Sequence, residues 1–182
     1  PSYPTRAGLA SSNAPPMLPA AMPERHVLER VQLIPRPRRE VFPFFADARN
    51  LERITPPWLR FRIVTDGDIP MAPGTLIDYR LSLYGVPFSW RTRIERFEPG
   101  VAFVDRQVRG PYRLWHHTHT FEDAGRGATR MTDRVEYELP MGPLGSVAHA
   151  AFVRHALARI FDYRREAVER ALAPKVTAAA AP

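Results

Sequence analysis

The sequence contains no cysteine, and this absence excludes several classes of function at once. Disulfide frameworks, cysteine zinc sites, iron–sulfur clusters and thiol nucleophiles all need the missing side chain, so oxygen and imidazole chemistry remains. The sequence also lacks a run of about 18 apolar residues, so we expect no transmembrane helix. A phosphate-binding glycine motif is missing as well, and no nucleotide cofactor is therefore indicated.

Lysine is almost absent, because Lys175 is the only lysine among the 26 basic residues. The formal net charge is +7. The two terminal segments carry a net charge of +2, from Arg6, Arg25 and Lys175 minus Glu24, so residues 26–173 carry a net charge of +5. This mild excess consists mostly of arginine and names no partner, and we expect no nucleic-acid ligand from it.

Composition divides the chain into one domain and two terminal segments. Residues 1–25 hold six of the 20 prolines among alanine and serine, which predicts a flexible arm. Residues 174–182 are predicted to be a flexible tail. The prolines interrupt any apolar segment of a secretory signal, so we expect a cytoplasmic protein whose single domain spans residues 26–173.

Glycine and proline divide the domain into short segments rich in aromatic and β-branched residues, which is typical of an antiparallel meander. Seven strands are predicted, over residues 27–34, 59–65, 75–84, 88–97, 101–108, 112–121 and 129–139. Residues 38–54 fit two short helices after the first strand. From residue 144 to residue 172, apolar residues recur at helical spacing and predict one long helix. Such a sheet closes a core with one helix only by wrapping around it, which leaves room for a cavity.

Several motifs resemble one known superfamily. They are Val41-Phe42-Pro43-Phe44-Phe45 with Asn50-Leu51 and Ile54-Thr55-Pro56-Pro57, then Gly110-Pro111-Tyr112, Trp115 to Phe121, Thr132 to Val135 and Pro140 to Gly145. They are similar to bacterial members of the START-like or SRPBCC superfamily, which includes pollen-allergen-like proteins and polyketide cyclases. The resemblance implies an α+β helix-grip fold, in which a seven-stranded curved antiparallel sheet wraps around a long C-terminal helix. It leaves the function open, because this fold hosts many ligands and reactions.

Strand alternation predicts which side chains face the interior. On the fifth, sixth and seventh strands, the large apolar residues and several polar residues occupy alternate positions and therefore lie on the same face of the sheet. The inward polar groups are then Asp105, Gln107, His117, His119, Asp133 and Tyr137. Burial of these groups is costly unless they are paired or contact a ligand.

Three interpretations of these inward groups remain open. They form a hydrogen-bonded lattice that holds the sheet's curvature, or they bind the polar end of a ligand, or they catalyse proton transfer. We predict a ligand site formed by Tyr79, Trp90, Phe103, Asp105, Gln107, Trp115, His117, His119, Asp133, Tyr137 and Phe152. His117, His119 and Asp133 are the candidate catalytic groups, for a reaction similar to that of a cyclase or dehydratase. The same three residues could bind zinc, but His-x-His on a strand is more often structural, and we expect no metal.

Two further features of the sequence bear on function. His155 shares the predicted apolar stripe of the long helix, where it touches the cavity or packs in the core. Arg91, Arg93, Arg106 and Arg109 are predicted on the outer sheet face, where an interaction surface for anions is the alternative to simple solubility. The leading hypothesis is a protein that binds a small apolar or amphipathic molecule in an internal cavity.

Overall fold

The computed structural model describes residues 24–140, 147 and 152–173. In this part of the chain, seven strands form one antiparallel sheet in the order β1-β7-β6-β5-β4-β3-β2. The strands are β1 Arg25–Ile34, β2 Arg62–Ile63, β3 Leu76–Leu83, β4 Val86–Glu98, β5 Ala102–Arg109, β6 Leu114–Asp123 and β7 Thr129–Glu138. The predicted helix-grip architecture is confirmed, and most strands begin and end within two residues of their predicted bounds.

Two short helices follow β1, as the sequence predicts. They are α1 Arg38–Ala46 and α2 Leu51–Ile54, separated by a 3-10 turn at Ala48–Asn50. Asp47 ends the first helix in an extended conformation, and its carboxylate accepts a hydrogen bond of 2.9 Å from the Arg49 backbone N–H. This local side-chain bond competes with continued α-helix and explains why one helix does not span the whole segment.

The second predicted strand, residues 59–65, is wrong in extent. Pro57–Leu59 form a 3-10 turn, and Arg60 then adopts a left-handed backbone with φ of 45°. Such a φ is uncommon for residues other than glycine and interrupts an extended strand. The register with β3 covers Arg62–Ile63, and the Val64 N–H donates one more hydrogen bond, of 2.9 Å, to the Asp78 carbonyl.

The third helix, α3 Arg154–Ala171, lies in the concave face of the sheet. Leu157 and Phe161 pack with Trp115, and further along α3 Val168 packs with Phe121. The predicted helix begins at residue 144, but residues 141–146 and 148–151 lie outside the described residues. Within the described part of the chain, no helix is long and apolar enough to cross a membrane.

Strand alternation places the inner face as predicted along β6 and β7, where every second residue is buried. In β4 the alternation changes between Ile94 and Arg96, where the register with β5 shifts at a bulge. Ile94 is buried on one side of the bulge and Phe97 packs inward on the other. An extra residue in one strand reverses the parity, which periodicity alone does not locate.

The predicted terminal segments lie almost entirely outside the described residues. Of the segment 1–25, only Glu24 and Arg25 are described, and Arg25 already begins β1. The segment 174–182 is not described at all. β1 therefore begins one residue before the predicted boundary at residue 26, and the bounds of the domain stay a prediction from the sequence.

Candidate functional site

A cavity of about 340 Å³ lies between the sheet and α3. Its walls are mostly apolar and come from α1, α2, strands β3 to β6 and the inner face of α3. The aromatic part of the wall is Phe44, Phe45, Phe61, Tyr79, Phe88, Trp90, Phe103, Tyr112, Trp115 and Phe161. Burial raises the pKa of Tyr79 and of Tyr112, so both phenols stay protonated. A cavity of this volume is within the range of small-molecule sites, about 300–1,000 Å³.

Polar side chains from three adjacent strands meet on one wall of this cavity. Asp105 on β5 pairs in register with His117 on β6, and His119 pairs with Asp133 on β7. The two histidines point inward together because they are two residues apart on one strand. Both are buried, with 5% and 3% of their surface exposed. We call Asp105, His117, His119, Asp133 and Arg164 of α3 the polar cluster.

Asp133 contacts both imidazoles from the side away from the cavity. Its Oδ1 lies 3.1 Å from Nε2 of His117. The same oxygen lies 2.7 Å from Nδ1 of His119, although this approach is not aligned as a hydrogen bond. One carboxylate oxygen therefore holds both rings in position.

Asp105 contacts the opposite nitrogen of each imidazole. Its Oδ2 lies 3.2 Å from Nε2 of His119 and 3.6 Å from Nδ1 of His117. The two rings lie against each other with centroids 3.8 Å apart. Each ring is thus placed between two carboxylates, one of which, Asp105, lines the cavity.

Arg164 completes the cluster from the helix. Its Nε lies 3.4 Å from Oδ2 of Asp133, and 12% of its side chain is exposed. This Nε is buried and has no aligned hydrogen-bond acceptor among the described residues. Arg164 is absent from the site residues predicted from the sequence. A signal was present, because Arg164 shares one helix face with Leu157, Phe161 and Val168, and a charge on an apolar stripe needs a partner.

The charges of the cluster shift its pKa values in opposite directions. Burial lowers the pKa of His117, and the charge of His119 lowers it further. Burial alone would also lower the pKa of His119, but Asp133 and Asp105 outweigh it and the pKa is raised. Burial would raise the pKa of both carboxyls, but Arg164 and the histidines hold that of Asp133 well below its usual range and lower that of Asp105. The cluster therefore favours one neutral and one protonated imidazole between two carboxylates.

Seven of the eleven residues predicted for the ligand site line the cavity. They are Tyr79, Trp90, Phe103, Asp105, Trp115, His117 and His119. Asp133 does not line the cavity itself but contacts His117, His119 and Arg164 of its wall. Tyr137 is buried beside Tyr112 and Trp115, outside the cavity wall.

Gln107 and Phe152 are also placed outside the cavity wall. The Gln107 side chain donates a 2.6 Å hydrogen bond to the Tyr112 carbonyl and so holds the connection between β5 and β6. Phe152 precedes α3 and is 65% exposed. His155 is exposed too. It precedes Leu157 by two residues, which places it about 200° around the helix from the packed face.

The arginines of the outer sheet face have acidic neighbours. Arg91 donates two hydrogen bonds to Asp78, at 2.8 and 2.9 Å. Arg93 and Arg106 both lie within 3.6 Å of Glu95. These pairs favour the interpretation of the arginines as part of a solvated surface and give little support to an anion-binding module.

A family model described as "Polyketide cyclase / dehydrase and lipid transport" matches residues 34–163, well over half of the chain. The chain belongs to this family. The match covers α1, α2, strands β2 to β7 and most of α3, and so includes nearly all of the cavity wall. A search of curated proteins finds no significant match.

Solved structures show the same fold as this member of the polyketide cyclase / dehydrase and lipid transport family. An aromatase/cyclase from a Streptomyces species is 16% identical, with a TM-score of 0.58 over 82% of this chain and 98% of the other. A major latex-like protein from Panax ginseng is 12% identical, with a TM-score of 0.62 over 82% and 99%. A norcoclaurine synthase point mutant from Thalictrum flavum is 13% identical, with a TM-score of 0.60 over 82% and 98%. At these identities the likeness shows the helix-grip fold alone.

Proposed function

We propose that this protein binds a small apolar or amphipathic molecule in the cavity between the sheet and α3. The observation that carries the proposal is the distribution of polarity over the cavity wall. Most of the wall is apolar and aromatic, and among its polar side chains Asp105, His117, His119 and Arg164 converge on one patch. Small-molecule sites typically combine an apolar wall with a few polar groups that orient the ligand.

The apolar part of the ligand would lie against the aromatic wall. The ring of Trp90 is edge-on to Trp115, with centroids 5.2 Å apart, and Tyr112 lies 5.6 Å from Trp90. Aromatic rings in offset-stacked or edge-to-face contact gain interaction energy beyond that of the buried apolar area, so these side chains suit a ligand that itself contains a ring. The volume suits one compact molecule of a few rings or a short chain.

The polar end of the ligand would lie at the polar cluster. Nε of Arg164 is a buried donor with no aligned acceptor among the described residues, and His119 beside it favours the protonated form. The guanidinium of Arg164 donates hydrogen bonds, whereas both ring nitrogens of His119 already face Asp105 and Asp133. A carbonyl, phenol or carboxylate oxygen beside Arg164 is therefore the ligand group that fits. A ligand oxygen there would satisfy a donor whose burial is otherwise costly.

Two matched tryptophan substitutions on β3 test the binding site. Leu81 lines the cavity, while Leu76 on the same strand is 45% exposed on the opposite face. Leu81→Trp should reduce the bound fraction of any ligand that copurifies, measured by native mass spectrometry, while Leu76→Trp should leave it unchanged. A wild-type protein that carries no organic molecule, and whose melting temperature no amphipathic polycyclic compound raises, would contradict the proposal.

Catalysis of proton transfer is the second candidate function. Its supporting observation is that two cavity-facing imidazoles have pKa values shifted in opposite directions, lowered for His117 by burial and raised for His119 by Asp133 and Asp105. Pairs of groups whose environments separate their pKa values are suited to act as base and acid. A cyclase-like or dehydratase-like reaction would fit this pair without a nucleotide cofactor.

The two functions differ in what happens to a bound compound. An enzyme would convert it, and His117→Gln would abolish conversion while the compound still raises the melting temperature. A binding protein would release it unchanged after long incubation, which mass spectrometry of the extracted ligand would show. The cytoplasmic location and the absence of a nucleic-acid partner stay predictions from the sequence.

A further inference from the structure

We propose that Asp105, His117 and His119 form a binding site for one divalent transition-metal ion such as zinc, open to the cavity. The sequence spacing alone did not favour a metal, and it pointed to Asp133 as the third ligand. The structure instead places Asp105 in that position and gives Asp133 a supporting role. This inference goes beyond the proposed function, because an ion could bind whether or not the cavity holds an organic molecule.

The first observation is the spacing of the ligand atoms. One atom from each of the three side chains lies within 4.8 Å of the other two. Oδ2 of Asp105 is 3.2 Å from Nε2 of His119 and 3.6 Å from Nδ1 of His117. A tetrahedral zinc ion with bonds of about 2.0–2.1 Å holds its ligand atoms roughly 3.3–3.4 Å apart. Small side-chain movements would therefore bring all three atoms to a shared ion.

The second observation is the support behind the histidines. When Nδ1 of His117 and Nε2 of His119 face Asp105, the other nitrogen of each ring faces Oδ1 of Asp133, at 3.1 and 2.7 Å. Metal-binding histidines usually donate the second ring N–H to a carboxylate, which fixes their orientation. Asp133 has this position toward both rings and is itself paired with Arg164 at 3.4 Å.

The third observation is the charge and the exposure to the cavity. Two carboxylates face one guanidinium in the cluster. A bound ion would take the place of the proton that His119 favours, and with both imidazoles neutral as ligands the protein groups would carry one excess negative charge to offset the ion. Asp105, His117 and His119 all line the cavity, whereas Asp133 does not. A fourth coordination position would therefore open into the cavity, where water or the oxygen of a ligand could occupy it.

The donor set selects the class of ion. Two imidazole nitrogens and one carboxylate oxygen suit zinc and its first-row neighbours, whereas magnesium and calcium prefer oxygen donors throughout. The ion would act on the cavity as a Lewis acid and would polarise a ligand carbonyl bound there.

Metal titration of the whole, untagged chain after chelator treatment tests the site. We expect saturable binding of one zinc ion per chain, and cobalt(II) in its place should give the visible absorption of a four- or five-coordinate ion. Asp105→Asn and His119→Gln should each abolish stoichiometric binding. Asp133→Asn should weaken the affinity by about 10–100-fold, the effect usual for such supporting groups. His116→Gln is the matched control, because His116 lies on the same strand and points to the outer face near Glu95.

Two outcomes would overturn the proposal. One is no saturable binding of zinc or cobalt(II) by the wild-type chain. The other is unchanged binding in both folded Asp105→Asn and folded His119→Gln, with folding checked by circular dichroism. Ligand binding in the presence of chelator is measured separately, so that the cavity proposal can stand where the metal proposal fails, and the reverse.

Discussion

Arg164→Met tests how the polar cluster is held together. Arg164 is mostly buried and its nearest charged partner is Asp133, which is 6% exposed. Methionine keeps much of the side-chain length and removes the charge. The substitution therefore leaves Asp133 buried with the two histidines as its remaining partners.

The expected cost follows from that environment. Removing one partner of a buried ion pair typically costs about 3–5 kcal/mol of unfolding free energy. The lower end applies here, since both imidazoles stay beside Asp133, and we expect about 3 kcal/mol. For a chain of this size each kcal/mol lowers the melting temperature by about 2–4 °C, so a fall of roughly 6–12 °C is expected.

Urea and thermal unfolding followed by circular dichroism measure this cost. Arg165→Met is the matched control, because Arg165 is the next residue of α3 and is exposed, and it should change the stability by less than about 0.5 kcal/mol. The double variant Arg164→Met/Asp133→Asn should recover part of the loss, because it removes the unpaired charge. Equal stabilities of Arg164→Met and Arg165→Met would refute the reasoning. So would a loss in the double variant that equals the sum of the losses in Arg164→Met and Asp133→Asn.

Three further predictions concern pH, the β5–β6 connection and the core. The pKa of His119 is raised above 6.5, so its contribution to stability is complete below pH 6.5 and is lost as the pH rises through the folded-state pKa. His119→Gln should therefore flatten the pH dependence of the urea midpoint above pH 6.5. Gly110→Ala would place a Cβ against the Gln107 side chain and displace its hydrogen bond to the Tyr112 carbonyl, so calorimetry should show a loss of about 0.5–1.5 kcal/mol. Phe121→Ala should cost about 3–5 kcal/mol in urea unfolding, because Phe121 is 1% exposed, whereas Tyr84→Ala, at 73% exposed, should be nearly neutral.

Much of the fold could be predicted from the sequence because alternation and punctuation are local signals. His117 and His119 share parity with Trp115 and Phe121, and that alone predicts which face of β6 is buried. The same signals do not locate the bulge in β4, and they gave wrong bounds for β2. There the backbone departs from regular geometry at single residues, and a hydrophobic pattern does not reveal such a departure.

The candidate site was predicted less completely, for a different reason. The residues on β5 and β6 were found, since each lies on an inward face of the sheet. Arg164 was missed because its role depends on how α3 crosses the sheet, which brings it to Asp133. Phe152 was predicted in the cavity and His155 in the cavity or the core, because apolar spacing alone does not show how far each lies from the packed face at Leu157. Contacts between distant elements are set by packing, and the spacing of residues along one element does not specify them.

The position of the cluster bears on whether it is merely a structural lattice. A buried network of charges often contributes no more stability than apolar residues of the same volume, so stability alone is a weak reason for two aspartates, two histidines and an arginine. A hydrogen-bonded lattice whose only role was to hold the curvature of the sheet would not need to be in contact with the cavity. Asp105, His117, His119 and Arg164 instead form part of the cavity wall, while Asp133 supports them from behind. Polar groups that line a cavity, held in position by a further group behind them, are expected at a site that binds a ligand or an ion in that cavity.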